Sequence, residues 1–103
     1  MKYRKFGRLG WEVSALGFGC MRLPTRGEYA DIDEPEATRM LYYAIDNGVN
    51  YLDTAYGYHG GNSERLLGKI LKGGYREKVK LATKLPPPHV ETRADCDRLL
   101  NEQ

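Results

Sequence analysis

The sequence predicts an α/β fold in which a short N-terminal hairpin precedes three strand-helix units whose strands lie parallel. Three observations carry this. Short β-prone or apolar runs alternate with segments of helical apolar periodicity, glycine or proline punctuates most junctions, and the connections are long enough to return the chain to the same end of a sheet. Two architectures satisfy that order: an open doubly wound sheet and the opening of a barrel. A complete eight-fold barrel takes about 250 residues, so this chain would supply only about three of its eight units.

The elements follow in order. Phe6-Gly7-Arg8-Leu9-Gly10-Trp11 sets two glycines around a turn between the β-prone stretches Tyr3 to Phe6 and Trp11 to Ser14, which gives the hairpin. Ala15 to Met21 is an apolar run without alternation, as expected of a strand buried on both faces. Arg22 to Asp33 is polar, contains Pro24 and Gly27, and is expected to be a loop. A helix starts next: Asp33 is suited to cap it, Glu36 stands three residues on as in a capping box, and Pro35 falls in the first turn, where a missing N–H costs nothing. Ala37, Met40, Leu41, Ala44 and Ile45 give that helix one apolar face, and Gly48 ends it.

Val49 to Thr54 is the second core strand and runs into the glycine-rich loop Ala55 to Gly61. Asn62 or Ser63 is suited to cap a second helix with the apolar face Leu66, Leu67, Ile70 and Leu71, stopped by Gly73-Gly74. Val79 to Lys84 is the third core strand, ended by Pro86-Pro87-Pro88. Thr92 opens a third helix with Cys96, Leu99 and Leu100 on one face, and no stop signal precedes Gln103. Three parallel strands alone would leave two edges unpaired and one apolar face open, so the pattern predicts a piece of a larger fold.

Composition narrows the function classes. The chain has 103 residues, with 16 Lys and Arg against 14 Asp and Glu, a net charge of +2 and 41% hydrophobic residues. That is too little charge bias for a dedicated nucleic-acid or membrane-surface binder, and the basic group Arg4, Lys5 and Arg8 reads as a solvated face. No apolar run approaches the roughly 20 residues that span a bilayer, and the start lacks the apolar core of a signal peptide. Cys20 and Cys96 offer neither a disulfide framework nor a zinc spacing. The expectation is a cytoplasmic chain with no metal, nucleic-acid or membrane partner.

The informative residues are Asp53 and Lys84. They sit at or just past the C-terminal ends of the second and third strands, about one βαβ unit apart, and adjacent parallel strands lie about 4.8 Å from one another. Tyr58 lies in the loop above the same end, where parallel α/β folds place their active sites. A free phenol loses its proton near pH 10, but a neighbouring ammonium favours the phenolate, and a carboxylate would keep that ammonium charged and oriented. Such a trio suits general-acid catalysis of carbonyl reduction, with the hydride supplied by an organic cofactor. Taken singly, a loop tyrosine more often packs or faces water, and an Asp-Lys pair is more often structural; the joint spacing argues for chemistry. Gly17 and Gly19 lack the third glycine of a dinucleotide fingerprint, Arg22 standing in its place, so a Rossmann reading is rejected. His59 is expected to be a loop residue flanking the site, and Cys20 a small buried residue near it rather than a reactive thiol.

The run Asn50-Tyr51-Leu52-Asp53-Thr54-Ala55-Tyr56-Gly57-Tyr58, then Asn62-Ser63-Glu64 and Gly68, with Ala82-Thr83-Lys84 downstream, resembles the aldo-keto reductase superfamily. Leu16-Gly17-Phe18-Gly19-Cys20-Met21-Arg22 looks like that family's first strand and loop, and the resemblance extends over essentially the whole chain. It implies the N-terminal portion of a (β/α)8 TIM barrel, a hairpin closing its bottom, and reduction of small aldehydes or ketones with NADPH, NADH being the alternative. By the same resemblance Tyr58 is the proton donor, Lys84 makes its phenol more acidic, and Asp53 pairs with Lys84 near the nicotinamide ribose. Gly19, Cys20, Met21 and Arg22 would line the cofactor, mostly through backbone groups. The family's fourth catalytic residue is a histidine on a later strand, a place that neither His59 nor His89 occupies. Residues 1–103 alone are therefore expected to be inactive, and the competing reading is a non-catalytic half-barrel that covers its open strands by self-association.

Overall fold

A computed structural model describes residues 1–103. Strands β1 (Tyr3–Lys5) and β2 (Glu12–Ser14) form the hairpin, and β3 (Phe18–Gly19), β4 (Tyr51–Asp53) and β5 (Lys80–Ala82) form a parallel sheet in the order β3-β4-β5. Helices α1 (Glu34–Asp46), α2 (Asn62–Ile70) and α3 (Arg93–Glu102) follow the three sheet strands in turn. The sheet is open at β3 and β5, so the architecture is that of three strand-helix units without a closed barrel. No helix is long and apolar enough to cross a membrane.

Strand alternation divides the sheet's two faces. Phe18, Leu52 and Leu81 stand in one row; Leu52 is fully buried, and the other two pack against the same core of Leu41, Ile45, Leu66, Leu67 and Ile70 from α1 and α2. The next row, Gly19, Asp53 and Ala82, projects to the opposite face at the C-terminal ends of the strands. The hairpin docks at the other end. Asn50, just before β4, accepts from Ser14 N–H at 2.8 Å and donates to the Glu12 carbonyl at 2.8 Å, and Tyr3 Oη donates to the Gly48 carbonyl at 2.9 Å. Gly48 has φ 103, and a Cβ there would lie 2.6 Å from the Tyr3 hydroxyl, so the close approach requires glycine.

Several expectations are corrected by competing local bonds. The run 15–21 supplies only two residues of regular strand, because it lies on a sheet edge and Ala15 N–H turns away to the Lys2 carbonyl. At α1, Asp33 caps Glu36 N–H, but the Glu36 carboxylate pairs with Arg39 at 2.6 Å and Asp33 N–H goes to the Pro24 carbonyl, so the box is half formed. Neither Asn62 nor Ser63 caps α2; Gly61, at φ 94, occupies that position, Asn62 reaches back to the Ala30 carbonyl, and Ser63 is buried. In α3 the Thr92 box forms, with Asp95 as its partner, but Leu100 is 62% exposed and Leu99 alone is fully buried. The glycine-rich loop contains a 3-10 turn, Tyr58–Gly61.

Candidate active site

Sheet register explains why three distant side chains meet. Asp53 ends β4 beside Ala82 of β5; the ladder then continues past both strands, with Thr54 N–H donating to the Ala82 carbonyl at 2.8 Å and Tyr56 N–H to the Lys84 carbonyl at 3.3 Å. Lys84 is thereby carried to the mouth of the sheet next to Asp53. Its Nζ donates to Asp53 Oδ2 at 2.7 Å, to the Thr54 carbonyl at 2.8 Å and to Tyr58 Oη at 2.9 Å. An ammonium has three N–H donors, and all three are used.

The phenol receives a hydrogen bond from Lys84, which leaves its own proton unshared with any other group in the chain. Burial pulls the Lys84 ammonium down, but the hydrogen bonds to Asp53 and Tyr58 and the charge of both outweigh it and hold the group above the ordinary lysine value. The pair is not sealed off: the side chains of Lys84 and Asp53 are 48% and 40% exposed. Asp53 keeps its second carboxylate oxygen free of partners within the chain.

A layer of buried hydroxyls supports the trio. Thr54 Oγ1 and Ser63 Oγ lie 2.8 Å apart, and Ser63 Oγ donates to the Cys20 carbonyl at 3.2 Å, so the ends of β3 and β4 and the start of α2 are tied together below Lys84. Outside it, the Thr83 hydroxyl donates to the Glu64 carboxylate. Sequence reading missed Thr54 and Ser63 as supports. A signal existed: Ser63, Leu66, Leu67 and Ile70 fall at i, i+3, i+4 and i+7, so the serine stands on the buried stripe of its own helix.

The other expected residues divide. Gly19, the last residue of β3, and Met21 and Arg22 just past it are exposed, and a Cβ on Gly19 would meet nothing within 4 Å. Cys20 is fully buried; burial, reinforced by the Asp53 charge and opposed by Lys84, pushes its thiol up to about 12, which makes it inert. Its N–H goes to the Asp53 carbonyl at 2.8 Å and its carbonyl accepts from Ser63, so Cys20 has little backbone left to offer a ligand. His59 lies in the loop beside Tyr58, as expected, but is fully buried: its Nε2 accepts from Leu23 N–H at 3.0 Å, and its ring stacks on Tyr29. His89 is exposed, with its ring edge-on to Tyr56.

Residues 15–102 match the profile of the Aldo/keto reductase family. The chain belongs to this family. It is 44% identical over 81 residues to a probable aldo-keto reductase 1 from Glycine max, covering 78% of this chain and 23% of that protein. Among solved structures, a thermostable aldo-keto reductase crystallised with the inhibitor epalrestat is 35% identical, with a TM-score of 0.79 over 98% of this chain and 36% of its own. An aldo-keto reductase from Klebsiella pneumoniae, crystallised with NADPH, is 27% identical, with a TM-score of 0.69 over 87% of this chain and 30% of its own. The chain spans about a quarter to a third of the length of the curated relatives it matches. The fold is accordingly the N-terminal portion of an aldo-keto reductase (β/α)8 barrel, as the sequence resemblance implied.

Proposed function

We propose that these residues carry the proton-donating half of a nicotinamide-dependent reduction of small aldehydes or ketones, with Tyr58 as general acid. The observation that bears the reading is the disposition of Lys84: all three of its N–H groups are committed, one of them to the phenol oxygen, while the phenol's own proton is unshared at an exposed mouth. As that proton passes to a carbonyl oxygen acquiring negative charge, Lys84 stabilises the phenolate left behind, and Asp53 and the Thr54 carbonyl keep the ammonium in place. The reaction is proposed for the fold as the family's longer members complete it.

The chain's residues fit a nicotinamide cofactor. Gly19 leaves open space where a side chain would stand, beside an Asp53 carboxylate with one oxygen free for a hydroxyl, and Met21 and Arg22 are exposed next to it. When bound, NADPH supplies the hydride. Orientation of the carbonyl toward Tyr58, and exclusion of water from it, fall to the face of the sheet that bears Asp53.

Tyr58→Phe tests the reading, because it removes the transferable proton and keeps the ring. A positioned general acid contributes about 10²–10⁴-fold, so kcat for reduction of a small aromatic aldehyde is expected to fall by that factor, with NADPH affinity unchanged. Wild-type kcat in the variant would sink the proposal.

A further inference from the structure

His59 is a histidine with no exposed surface, one residue from the proton donor, in a backbone conformation that side chains avoid. Its φ of 53 and ψ of 39 make it the one non-glycine residue with positive φ. Such a conformation persists where the surroundings over-determine it. Here they do so through both ring nitrogens. Leu23 N–H donates to Nε2 at 3.0 Å, so Nε2 accepts; the Tyr29 carbonyl, which can only accept, receives the proton on Nδ1. The ring also stacks on Tyr29 at 4.3 Å between centroids, and the Tyr29 hydroxyl donates to the Met21 carbonyl at 2.9 Å.

These partners all belong to one segment. Residues 22–33 close on themselves through the Thr25 to Ile32 bridge and the bond from Asp33 N–H to the Pro24 carbonyl, so the segment is a clamped loop. It begins directly after Met21, and it adjoins the Tyr58 turn again where Asn62 donates to the Ala30 carbonyl at 2.7 Å.

We propose that His59 is a positioning residue that locks the turn bearing Tyr58 to the rim segment 22–33, so that the proton donor and the cofactor-flanking residues Met21 and Arg22 are held as one body. Its catalytic consequence rests on the reductase reading above. With the backbone of His59 fixed from its ring, Tyr58 has little freedom to leave the 2.9 Å contact with Lys84. A misplacement of about 1 Å at a reacting group costs up to about a hundredfold in rate.

The test uses the protein with any sequence flanking residues 1–103 retained. In the wild type, nitrogen NMR is expected to show the His59 proton on Nδ1 and slow exchange of the Leu23 amide. His59→Gly removes the ring and relieves the positive φ; His59→Asn keeps a residue that tolerates it. Both are expected to free the Leu23 amide and to lower kcat by roughly ten- to a hundredfold, with a smaller change in KM, and added imidazole is expected to restore His59→Gly in part. Tyr29→Ala, which removes the stack from an exposed residue without opening the core, is expected to show a smaller loss in the same direction and serves if the His59 variants do not fold. A wild-type proton on Nε2, or an unchanged kcat once Leu23 is freed, overturns the inference. Full activity in Tyr58→Phe instead sinks the reductase reading, and leaves the tautomer and exchange results to judge the lock itself.

Discussion

Helices α2 and α3 have similar lengths and both show apolar faces in sequence, yet they are held by different physics. α2 buries Leu66, Leu67 and Ile70 in the core beneath the sheet. α3 buries Leu99 alone among its ten residues and contributes nothing to that core. Its order comes from a complete capping box, in which Thr92 Oγ1 accepts from Asp95 N–H while Asp95 Oδ2 accepts from the N–H groups of Glu91 and Thr92. Apart from Leu99, its ties to the rest are polar: Tyr56 Oη donates to Glu102, and Gln103 Nε2 donates to the Lys84 carbonyl and to Glu64. Burial across the chain fixes the one helix, and local hydrogen bonding sets the other, so equal sequence signals carry unequal free energies.

Truncation of the core gives the largest expected effect. Leu52 is fully buried on the central strand, between both neighbours and beneath α1 and α2, so Leu52→Ala is expected to lose about 2–5 kcal/mol of unfolding free energy in a urea titration. Leu100→Ala, on the exposed side of α3, is expected to stay within about 0.5 kcal/mol. Equal losses at the two positions would erase the distinction between the regions.

A cap deletion sharpens it. Thr92→Ala removes the acceptor for Asp95 N–H and is expected to cost about 1 kcal/mol, confined to α3. Hydrogen exchange then accelerates across residues 93–102 and leaves β4 and the Lys84 contacts protected. Exchange that quickens equally in β4 would mean that α3 is coupled to the body more tightly than its polar contacts allow.

The same contrast decides what the sequence could disclose. The body was legible because periodicity reports burial: Leu41, Leu52, Leu66 and Leu67 all lie where their spacing put them, and the parallel order follows from connection length. The meeting of Asp53, Tyr58 and Lys84 was legible because strand ends in a parallel sheet lie side by side. His59 was not, because nothing in a glycine-rich loop reveals that one ring will be turned inward to bridge to residues 30 and 36 positions earlier. Leu100 was misjudged for the opposite reason: apolar spacing describes a face available for burial, and α3 has little to bury it against.

Acid and alkali separate the regions at opposite ends of the pH scale. The backbone N–H groups of Glu91 and Thr92 hold the Asp95 carboxyl below the ordinary aspartate value against the opposing effect of desolvation, with lesser help from Arg98 and the Thr92 hydroxyl. A folded-state value that is depressed stabilises the fold above the unfolded value, about 3.9, and that support goes as pH falls through the folded value. Lys84 lies on the other side: its folded-state value is raised, so its contribution is whole below about 10.4 and goes as pH climbs through the folded value. Helix content in α3 is therefore expected to decline on acidification below about pH 4 while the Lys84 to Tyr58 contact persists. Alkali well above about pH 10.4 reverses the order, opening the mouth of the sheet with α3 still capped. Residue-resolved NMR across both ranges reads each transition separately, and a simultaneous loss of both regions at either extreme would show that one cooperative unit, not two differently held regions, carries the fold.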